Sequence, residues 1–159
     1  MAQKLTKKSK VAVKPVKTIP VKKGVQVMPK EYFSAIGRRK TAIARVRIWP
    51  GKQELVINGK PMTTYFKGDT IKKMIHSPFV VADVLGQYTG SIKIAGSGIM
   101  GQAEAIMHGI GRALVKADPE KFKKLMRDNG FLTRDPRMKE TRKAGQGGRA
   151  RAKKQSPKR

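Results

Sequence analysis

One stretch in the first third of the chain decides its fold: Thr41-Ala42-Ile43-Ala44-Arg45-Val46-Arg47-Ile48-Trp49. Its even positions, from Ala42 to Ile48, are all apolar, whereas its odd positions include Arg45 and Arg47, with Ile43 as the exception. Because successive side chains of a strand point to opposite faces, this alternation predicts a half-buried strand with a cationic outer face.

Two further strands are predicted around this one. The turn signal Pro50-Gly51 leads into residues 53–57, so the pattern predicts a hairpin whose second strand ends at Asn58-Gly59. Residues 87–95 alternate again and are predicted to form another strand.

Helical periodicity is clearest over residues 103–116, where apolar residues recur every three or four positions. The polar side of this helix carries Gln102, His108, Arg112 and Lys116. A shorter helix is predicted over residues 69–76, with Asp69 as its N-cap, and Pro78 interrupts it. Residues 79–85 are apolar and fit either a strand or a helix-to-strand connection.

The last helix has clear start and stop signals. Asp118-Pro119 combines an N-cap with proline at the first helical position, and Gly130 provides the C-terminal cap. Its buried side is predicted to carry Phe122, Leu125 and Met126. Strands and helices mix without strict βαβ alternation, which favours an α+β body of two layers, with a mostly antiparallel sheet and helices on one face.

Composition divides the chain into an arm, a body and a tail. The arm, residues 1–30, has nine Lys and no acid, and its prolines argue against a helix, so it is either an extended or disordered arm or a solvated segment of minor function. The body, residues 31–137, holds 19 basic and nine acidic residues. The tail, residues 138–159, has nine Lys or Arg and one acid, with no large apolar side chain after Met138, so alone it is predicted to be disordered.

The charge of the whole chain points to a polyanionic partner. Its 159 residues include 37 Lys and Arg against 10 Asp and Glu, a formal net charge of +27. A compact chain with this charge repels itself, so we expect nucleic acid as the partner, with an anionic membrane as the second choice. The absence of cysteine excludes disulfides and thiolate metal sites. No apolar run has the length of a transmembrane helix or the form of a signal peptide.

The signals for catalysis are weak. Residues 96–101 match the dinucleotide pattern G-x-G-x-x-G, but no second βαβ half follows, so we expect either a tight strand-to-helix connection or a phosphate site at a helix N-terminus. Ser97 lacks the spacing of a hydrolase elbow. His76 and His108 are far apart in sequence, which disfavours a metal site. No enzymatic activity, cofactor or metal is therefore expected.

Three consecutive cations, Arg38, Arg39 and Lys40, stand at the entrance to the first predicted strand. Arg45 and Arg47 continue them along its outer face, at a pitch of about 7 Å that is close to the spacing of successive phosphates. Arginine makes planar, bidentate phosphate contacts and can stack on bases. The row is therefore predicted to contact nucleic acid, and the plainer interpretation is a solvated charged face.

Four motifs occur in order: Ile36-Gly37-Arg38-Arg39-Lys40-Thr41-Ala42 with Ala44-Arg45-Val46, Gly96-Ser97-Gly98 with the residues from Gln102 to Leu114, Leu132-Thr133-Arg134-Asp135-Pro136-Arg137, and Ser156-Pro157-Lys158-Arg159. Together they resemble the bacterial-type family of small-subunit ribosomal protein nine, over residues 32–159. The resemblance implies a body with a left-handed βαβ crossover, similar to the second domain of ribosomal protein five.

The resemblance also implies a function. It implies a structural constituent of the small ribosomal subunit that binds ribosomal RNA in the head, beside neighbouring head proteins, in the bacterial cytoplasm rather than in an organelle. It implies that the tail threads through RNA to the tRNA in the peptidyl site, where Lys158 and Arg159 contact anticodon-stem phosphates. The other predicted RNA contacts are Arg38, Arg39, Lys40, Arg45, Arg47, Arg112, Arg134, Arg137, Arg142, Lys143, Arg149, Arg151, Lys153 and Lys154.

Two other functions fit parts of the sequence. Charge alone permits a nucleoid-like DNA-binding protein, which would co-fractionate with DNA rather than with small ribosomal subunits. The glycine-rich loop permits a nucleotide-dependent enzyme, which would bind NAD or ATP saturably and independently of salt.

Overall fold

The computed structural model describes residue 29 and residues 31–139, which form one mixed sheet with helices packed on it. The strands are β1 (Phe33–Arg39), β2 (Ala42–Pro50), β3 (Val56–Ile57), β4 (Lys60–Pro61) and β5 (Tyr88–Ala95). The helices are α1 (Met62–Tyr65), α2 (Asp69–Val81), α3 (Ile99–Ala117) and α4 (Pro119–Asp128). The predicted α+β class is confirmed. Most of the predicted arm and tail lie outside the described residues, so the division of the chain at residues 30 and 138 stays a prediction.

The sheet has the strand order β1-β2-β5-β3-β4. Its pairs are antiparallel except for β3, which lies parallel to β5. The chain between these two parallel strands contains β4, α1 and α2, so it forms a βαβ crossover of the kind that the family resemblance implies. The handedness of this crossover stays a prediction.

The predicted hairpin between β2 and the segment after it is wrong. β2 pairs instead with β1, through a turn at Lys40 and Thr41, and its other edge is occupied by β5. Because both edges of β2 are paired, the following segment crosses to the far side of β5, where Val56 and Ile57 pair with Ser91 and Ile92.

α2 continues past Pro78, where the sequence predicted an interruption. Proline has no N–H to donate to the carbonyl oxygen of Met74, four residues earlier. The Ser77 hydroxyl donates to that oxygen at 2.7 Å instead, so the carbonyl is satisfied and the helix runs on to Val81.

The helix ends follow the predicted signals in α4 and differ from them in α2. The side chain of Asp118 caps α4 by accepting a backbone N–H, and Gly130 follows the helix with a φ of 72°. The N-cap of α2 is Gly68, whereas Asp69 lies in the first turn. Leu125 was predicted to be buried but is 42% exposed.

α3 is the central packing element and lies across β1 and β2. It begins at Ile99, earlier than the predicted residue 103. The two elements come close together at Gly37 of β1 and at Ala105 and Gly109 of α3. A Cβ atom built on Gly37 would overlap the carbonyl oxygen of Ala105, and one on Gly109 would lie 2.6 Å from Cγ2 of Val46. The helix therefore rests directly on the strand backbone.

Residues 31–139 contain neither a membrane-spanning helix nor a cluster of metal ligands. None of the helices there is both long and apolar enough to cross a bilayer. No group of three or more His, Cys, Asp or Glu side chains in the same range is arranged to hold a metal ion.

Candidate nucleic-acid interface

One face of the sheet is open to solvent, and it carries the cationic row. The even positions of β2 are buried, so Arg45 and Arg47 lie on the opposite face. Across the strands, Arg45 stands between Ile36 of β1 and Lys93 of β5. Ile36 and Ile43, on the same open face, are 43% and 45% exposed. This outward placement is the one that the alternation of β2 predicted.

A groove follows the free edge of β1 and continues this cationic surface. Its lining includes Tyr32, whose ring centroid lies 5.3 Å from the guanidinium carbon of Arg47. Among the described residues, six cationic side chains and no acidic one line the groove. They are Arg38, Arg45, Arg47, Arg112, Lys116 and Arg134. A concave surface of one charge sign concentrates ions of the opposite sign, so the groove is suited to phosphates.

Three side chains of α3, spaced four residues apart, bind the free edge of β1. The backbone N–H of Arg38 donates to Nδ1 of His108 at 3.3 Å. Nη1 of Arg112 donates to the carbonyl oxygen of Ile36 at 2.6 Å, and Nζ of Lys116 donates to the carbonyl oxygen of Ser34 at 2.7 Å. Residues four apart share one face of a helix, so this spacing matches the edge of the strand. The predicted polar side of α3 therefore binds the backbone of β1 through hydrogen bonds.

His108 is 8% exposed, so the polar side of α3 is buried at this position. Burial is the largest cause that lowers the pKa of His108, and the positive charge of Arg112 lowers it further. Hydrogen bonds with the backbones of Arg38 and Leu132 act in the opposite direction, and the charge of Arg134 lowers the pKa again. The folded protein therefore holds His108 as the neutral acceptor that the strand edge requires.

The free energy of unfolding is expected to fall as the pH drops below about 6.5, the ordinary pKa of histidine. Since burial lowers the pKa of both His76 and His108, the unfolded chain binds protons before the folded one does. This stabilisation is fully present above that pKa and is lost as the pH falls towards the folded values. Urea unfolding between about pH 8 and pH 5 checks it.

The variant carrying His76→Gln and His108→Gln is the control for this pH dependence and should show a flatter profile. The pKa of Asp135 is lowered from 3.8 to about 2, so that carboxyl titrates below this window. An unchanged slope in the double variant would contradict the assignment to the two histidines.

Arg39 differs from its neighbours because it lies inside the protein, where it is 7% exposed. Its Nε donates to the carboxylate of Glu104, and its Nη2 lies 3.1 Å from Oδ2 of Asp135. Its Nη1 donates to the carbonyl oxygen of Arg137 at 2.6 Å. The guanidinium thus binds α3 and the segment after α4, and it does not share the surface on which the predicted RNA contacts were placed.

Asp135 connects Arg39 to Arg137. Its Oδ2 accepts from Nη2 and Nε of Arg137 at 2.6 and 2.9 Å, and its Oδ1 accepts from the backbone N–H of the same residue at 2.9 Å. The side-chain hydrogen bond from Arg137 is the main cause that lowers the pKa of Asp135 to about 2. The carboxylate is therefore ionised at neutral pH.

The other predicted contacts lie partly outside the described residues. Lys40 is exposed in the turn between β1 and β2, and Arg134 is exposed after α4. The predicted contacts that lie outside the described residues are Arg142, Lys143, Arg149, Arg151, Lys153, Lys154, Lys158 and Arg159.

The glycine-rich loop makes a tight connection from β5 to α3. Gly96 and Ser97 have φ values of 84° and 55°, and Gly98 is the N-cap of α3. A Cβ atom on Gly96 would overlap the carbonyl oxygen of Thr41, so the close approach of two backbones requires glycine here. Phosphate binding at this helix N-terminus stays a prediction.

Sequence reasoning missed three residues of the surface: Tyr32, Lys93 and Lys116. Lys93 could have been found, because the alternation of β5 places it on the polar side of that strand. Lys116 could also have been found, because helical spacing places it on the same side of α3 as Arg112. Tyr32 could not, since it reaches the groove through the pairing of β1 with β2.

Comparison with known proteins agrees with this architecture. The family model described as Ribosomal protein S9/S16 matches residues 37–159. The small ribosomal subunit protein uS9 of Lawsonia intracellularis is 46% identical over 118 residues, which cover 74% of this chain and 90% of that protein. The protein of the same name from Maridesulfovibrio salexigens is 42% identical over 132 residues, which cover 83% of this chain and 100% of that protein. The chain belongs to the ribosomal protein S9/S16 family, whose members are structural proteins rather than enzymes.

Proposed function

We propose that this protein binds ribosomal RNA in the head of the small subunit and that its C-terminal tail reaches the tRNA in the peptidyl site. Family membership makes the chain a structural protein of the small ribosomal subunit. The observation that supports the RNA contact most directly is the groove beside β1, which within residues 31–139 is lined by six cations and no acid. The named relatives are bacterial, which supports a place in the ribosome of a bacterial cytoplasm, beside other head proteins.

The mechanism we propose for the body is backbone recognition. Arg38 and Arg45 present guanidinium groups on the open face and in the groove, where they can hold phosphates bidentately. Lys93 extends the same face by one strand. Contacts of this kind fix register and orientation on an RNA without reading its bases, and shape then decides where the protein binds.

Tyr32 gives the groove one place for a base. Its side chain borders the groove and is 42% exposed, and the Arg47 guanidinium lies over its ring. An aromatic ring of this kind stacks on an unpaired base of any identity. Aromatic residues are 6% of the chain, so backbone contacts and not stacking supply most of the binding.

Replacing Arg45 by glutamine is expected to weaken binding to a fragment of small-subunit ribosomal RNA. The slope of log affinity against log salt should fall by about 0.7 to 0.9, because each phosphate that is no longer neutralised keeps its counterion. Filter binding across a series of salt concentrations measures this slope.

Lys73→Gln is the matched control for the Arg45 variant, since it removes one charge from the exposed side of α2, in the helix layer. Its slope should equal that of the unchanged protein. Equal slopes for all three proteins would contradict a contact at the open face. Tighter binding to duplex DNA than to the RNA fragment would favour the DNA-binding alternative.

Deleting Lys158 and Arg159 is expected to leave subunit assembly intact and to speed the loss of tRNA from the peptidyl site. The expectation comes from the two cations at the C-terminus and from the nine Lys or Arg of the tail. Cations of this kind bind RNA by neutralising its phosphates. Dissociation of labelled tRNA from small subunits rebuilt with each protein is the measurement. Equal dissociation rates would refute the proposed role of the tail.

A further inference from the structure

The segment after α4, residues 131–137, runs back along α3, and we call it the strap. It starts where the backbone N–H of Phe131 donates to the carbonyl oxygen of Met126 at 2.9 Å. The Cβ of Phe131 is so close to Gly111 that a Cβ built on that glycine would lie 2.9 Å from it. The next residue along the strap, Leu132, lines the same groove as His108. The strap therefore passes the residues of α3 in reverse order.

The strap ends in a cluster of two arginines and two acids, which we call the latch: Arg39, Glu104, Asp135 and Arg137. Arg39 comes from the end of β1 and Glu104 from α3, whereas the other two belong to the strap. The Arg39 guanidinium contacts both carboxylates and the carbonyl oxygen of Arg137. One side chain thus fastens the strap to a strand and a helix at once.

The latch is electrically neutral within a strongly cationic protein. Its two positive and two negative charges cancel, and Asp135 binds both arginines. Two of the five ion pairs within residues 31–139 involve Arg39, which is 7% exposed. Opposite charges attract each other more strongly where one of them is buried than where both lie in free solvent. These pairs therefore fix the position of the strap against β1 and α3.

Without the latch, little else holds the end of the strap. Phe131 and Leu132 pack against the core, but the exposed residues 133, 134 and 136–139 do not. Leu132 would then be the last residue of the strap that packs against the core, and residues 133–137 would separate it from the tail. The latch moves the last fixed point to Arg137 and places it beside the end of β1, next to the exposed Lys40.

We propose that the latch is a positioning device that sets where, and in which direction, the C-terminal tail leaves the body. It starts the tail beside the turn between β1 and β2, at the same end as Arg38 and Lys40, so that one RNA can engage the turn and the tail together. The tail's own target rests on the proposed function. The direction of departure does not, because it is a property of the free protein.

The chain has no cysteine, so two introduced cysteines carry spin labels without interference. We would label Lys73→Cys on α2 and Lys139→Cys after the strap, and measure the distance distribution in the full-length protein. One narrow distribution is expected. Asp135→Asn should broaden it, while Asp135→Glu, which keeps the carboxylate, should restore much of the narrow component. Equal widths in the Asn variant and the unchanged protein would overturn the proposal.

Asp69→Asn is the matched control, since it removes the same charge from an acid that pairs with Lys72, away from the strap. It should leave the distribution narrow. The thermal unfolding midpoint of Asp135→Asn should stay close to that of the control, because Arg39 still pairs with Glu104. If the Asp135→Asn variant had a broad distribution and also a thermal unfolding midpoint well below that of the control, the variant would have destabilised the whole fold. That result would count against a positioning role.

The second arm of the test uses rebuilt small subunits. Subunits with Asp135→Asn should lose tRNA roughly three- to tenfold faster than unchanged ones. When the latch no longer holds the start of the tail, the effective concentration of the tail at its target is lower. If deleting the tail does not change the rate of tRNA dissociation, the proposed function of the tail is wrong. The distance measurement on the free protein then still tests whether the latch positions the tail. If removal matters and Asp135→Asn behaves as unchanged protein in both arms, the latch fails.

Discussion

Gly37→Ala is expected to lower the free energy of unfolding by about 3 kcal/mol or more. A methyl group at this position would overlap the carbonyl oxygen of Ala105 and lie 2.5 Å from the backbone nitrogen of Gly109. Both obstacles are backbone atoms of α3, so no side chain can rotate away to relieve the overlap. The helix would have to move off β1, which would open the core between α3 and β2.

The sign of the change in unfolding free energy shows whether the methyl group of Gly37→Ala meets an obstacle. Gly37 does not have a positive φ, and at such a position a change from glycine to alanine stabilises a protein by about 0.4 to 1 kcal/mol when nothing obstructs the methyl group. Gly98→Ala is the matched control, because no atom lies within 4 Å of the added carbon. Its cost should stay near 1 kcal/mol, the usual difference at an N-cap.

Equilibrium unfolding in urea measures both glycine variants, provided that the slope with denaturant is unchanged. Gly109→Ala should fall between them, since its methyl group would overlap Cγ2 of Val46, a side-chain atom, and would lie 3.2 Å from the backbone nitrogen of Gly37. A Gly37→Ala protein as stable as the unchanged one would mean that α3 does not rest on the backbone of β1.

Arg39→Ala and Arg38→Ala are expected to have opposite consequences, although the two residues are adjacent. Arg39→Ala should cost about 3 kcal/mol of stability, the lower end of the range for breaking a buried ion pair. The lower end applies because the carboxylates left behind, those of Glu104 and Asp135, are 31% and 29% exposed and can be partly hydrated. Removing Arg39 also leaves the carbonyl oxygen of Arg137 without this donor.

Arg38→Ala should change stability by no more than about 0.5 kcal/mol, as is usual for an exposed position. The contact that Arg38 makes with His108 uses its backbone N–H, which alanine retains. The variant should instead lower the salt slope of RNA binding by about 0.7 to 0.9, because one phosphate contact is lost. Arg39→Ala, measured at a temperature where it is folded, should keep the slope of the unchanged protein.

Unfolding curves and salt titrations on the same two proteins test this contrast. If both arginines changed stability equally, the inward position of Arg39 would be wrong. If both changed the salt slope equally, the RNA would reach the latch, and the division between structural and RNA-facing arginines would fail.

Periodicity predicted the elements whose two faces differ strongly. β2 alternates between apolar and cationic side chains, α3 repeats at helical spacing, and Asp118 and Gly130 mark the ends of α4 through local chemistry. β1 was missed because its inward positions are Ala35, Gly37 and Arg39, which have no apolar bulk for a pattern to show. Only the close packing of α3 on β1 explains why Ala35 and Gly37 are small.

The open face could be predicted from sequence, whereas the latch could not. Arg45 and Arg47 follow the alternation of β2, but the turn at Lys40 reverses the chain, and the pattern cannot be carried through it to Arg39. A weak signal did exist. Acidic residues are only 10 of 159, so Glu104 and Asp135 in the family motifs could have been suspected of pairing with a cation. Which cation they pair with depends on tertiary packing.

The covering of the β1 edge by Arg112 and Lys116 has a consequence for the protein before it meets RNA. A bare outer strand is a template on which other chains can add strands and aggregate. Here the outward carbonyl groups of Ser34 and Ile36 are already occupied, and the opposite border of the sheet is a two-residue strand that contains Pro61. Within residues 31–139, the sheet thus offers no long unpaired edge on which other copies of the protein could add strands before the protein binds RNA.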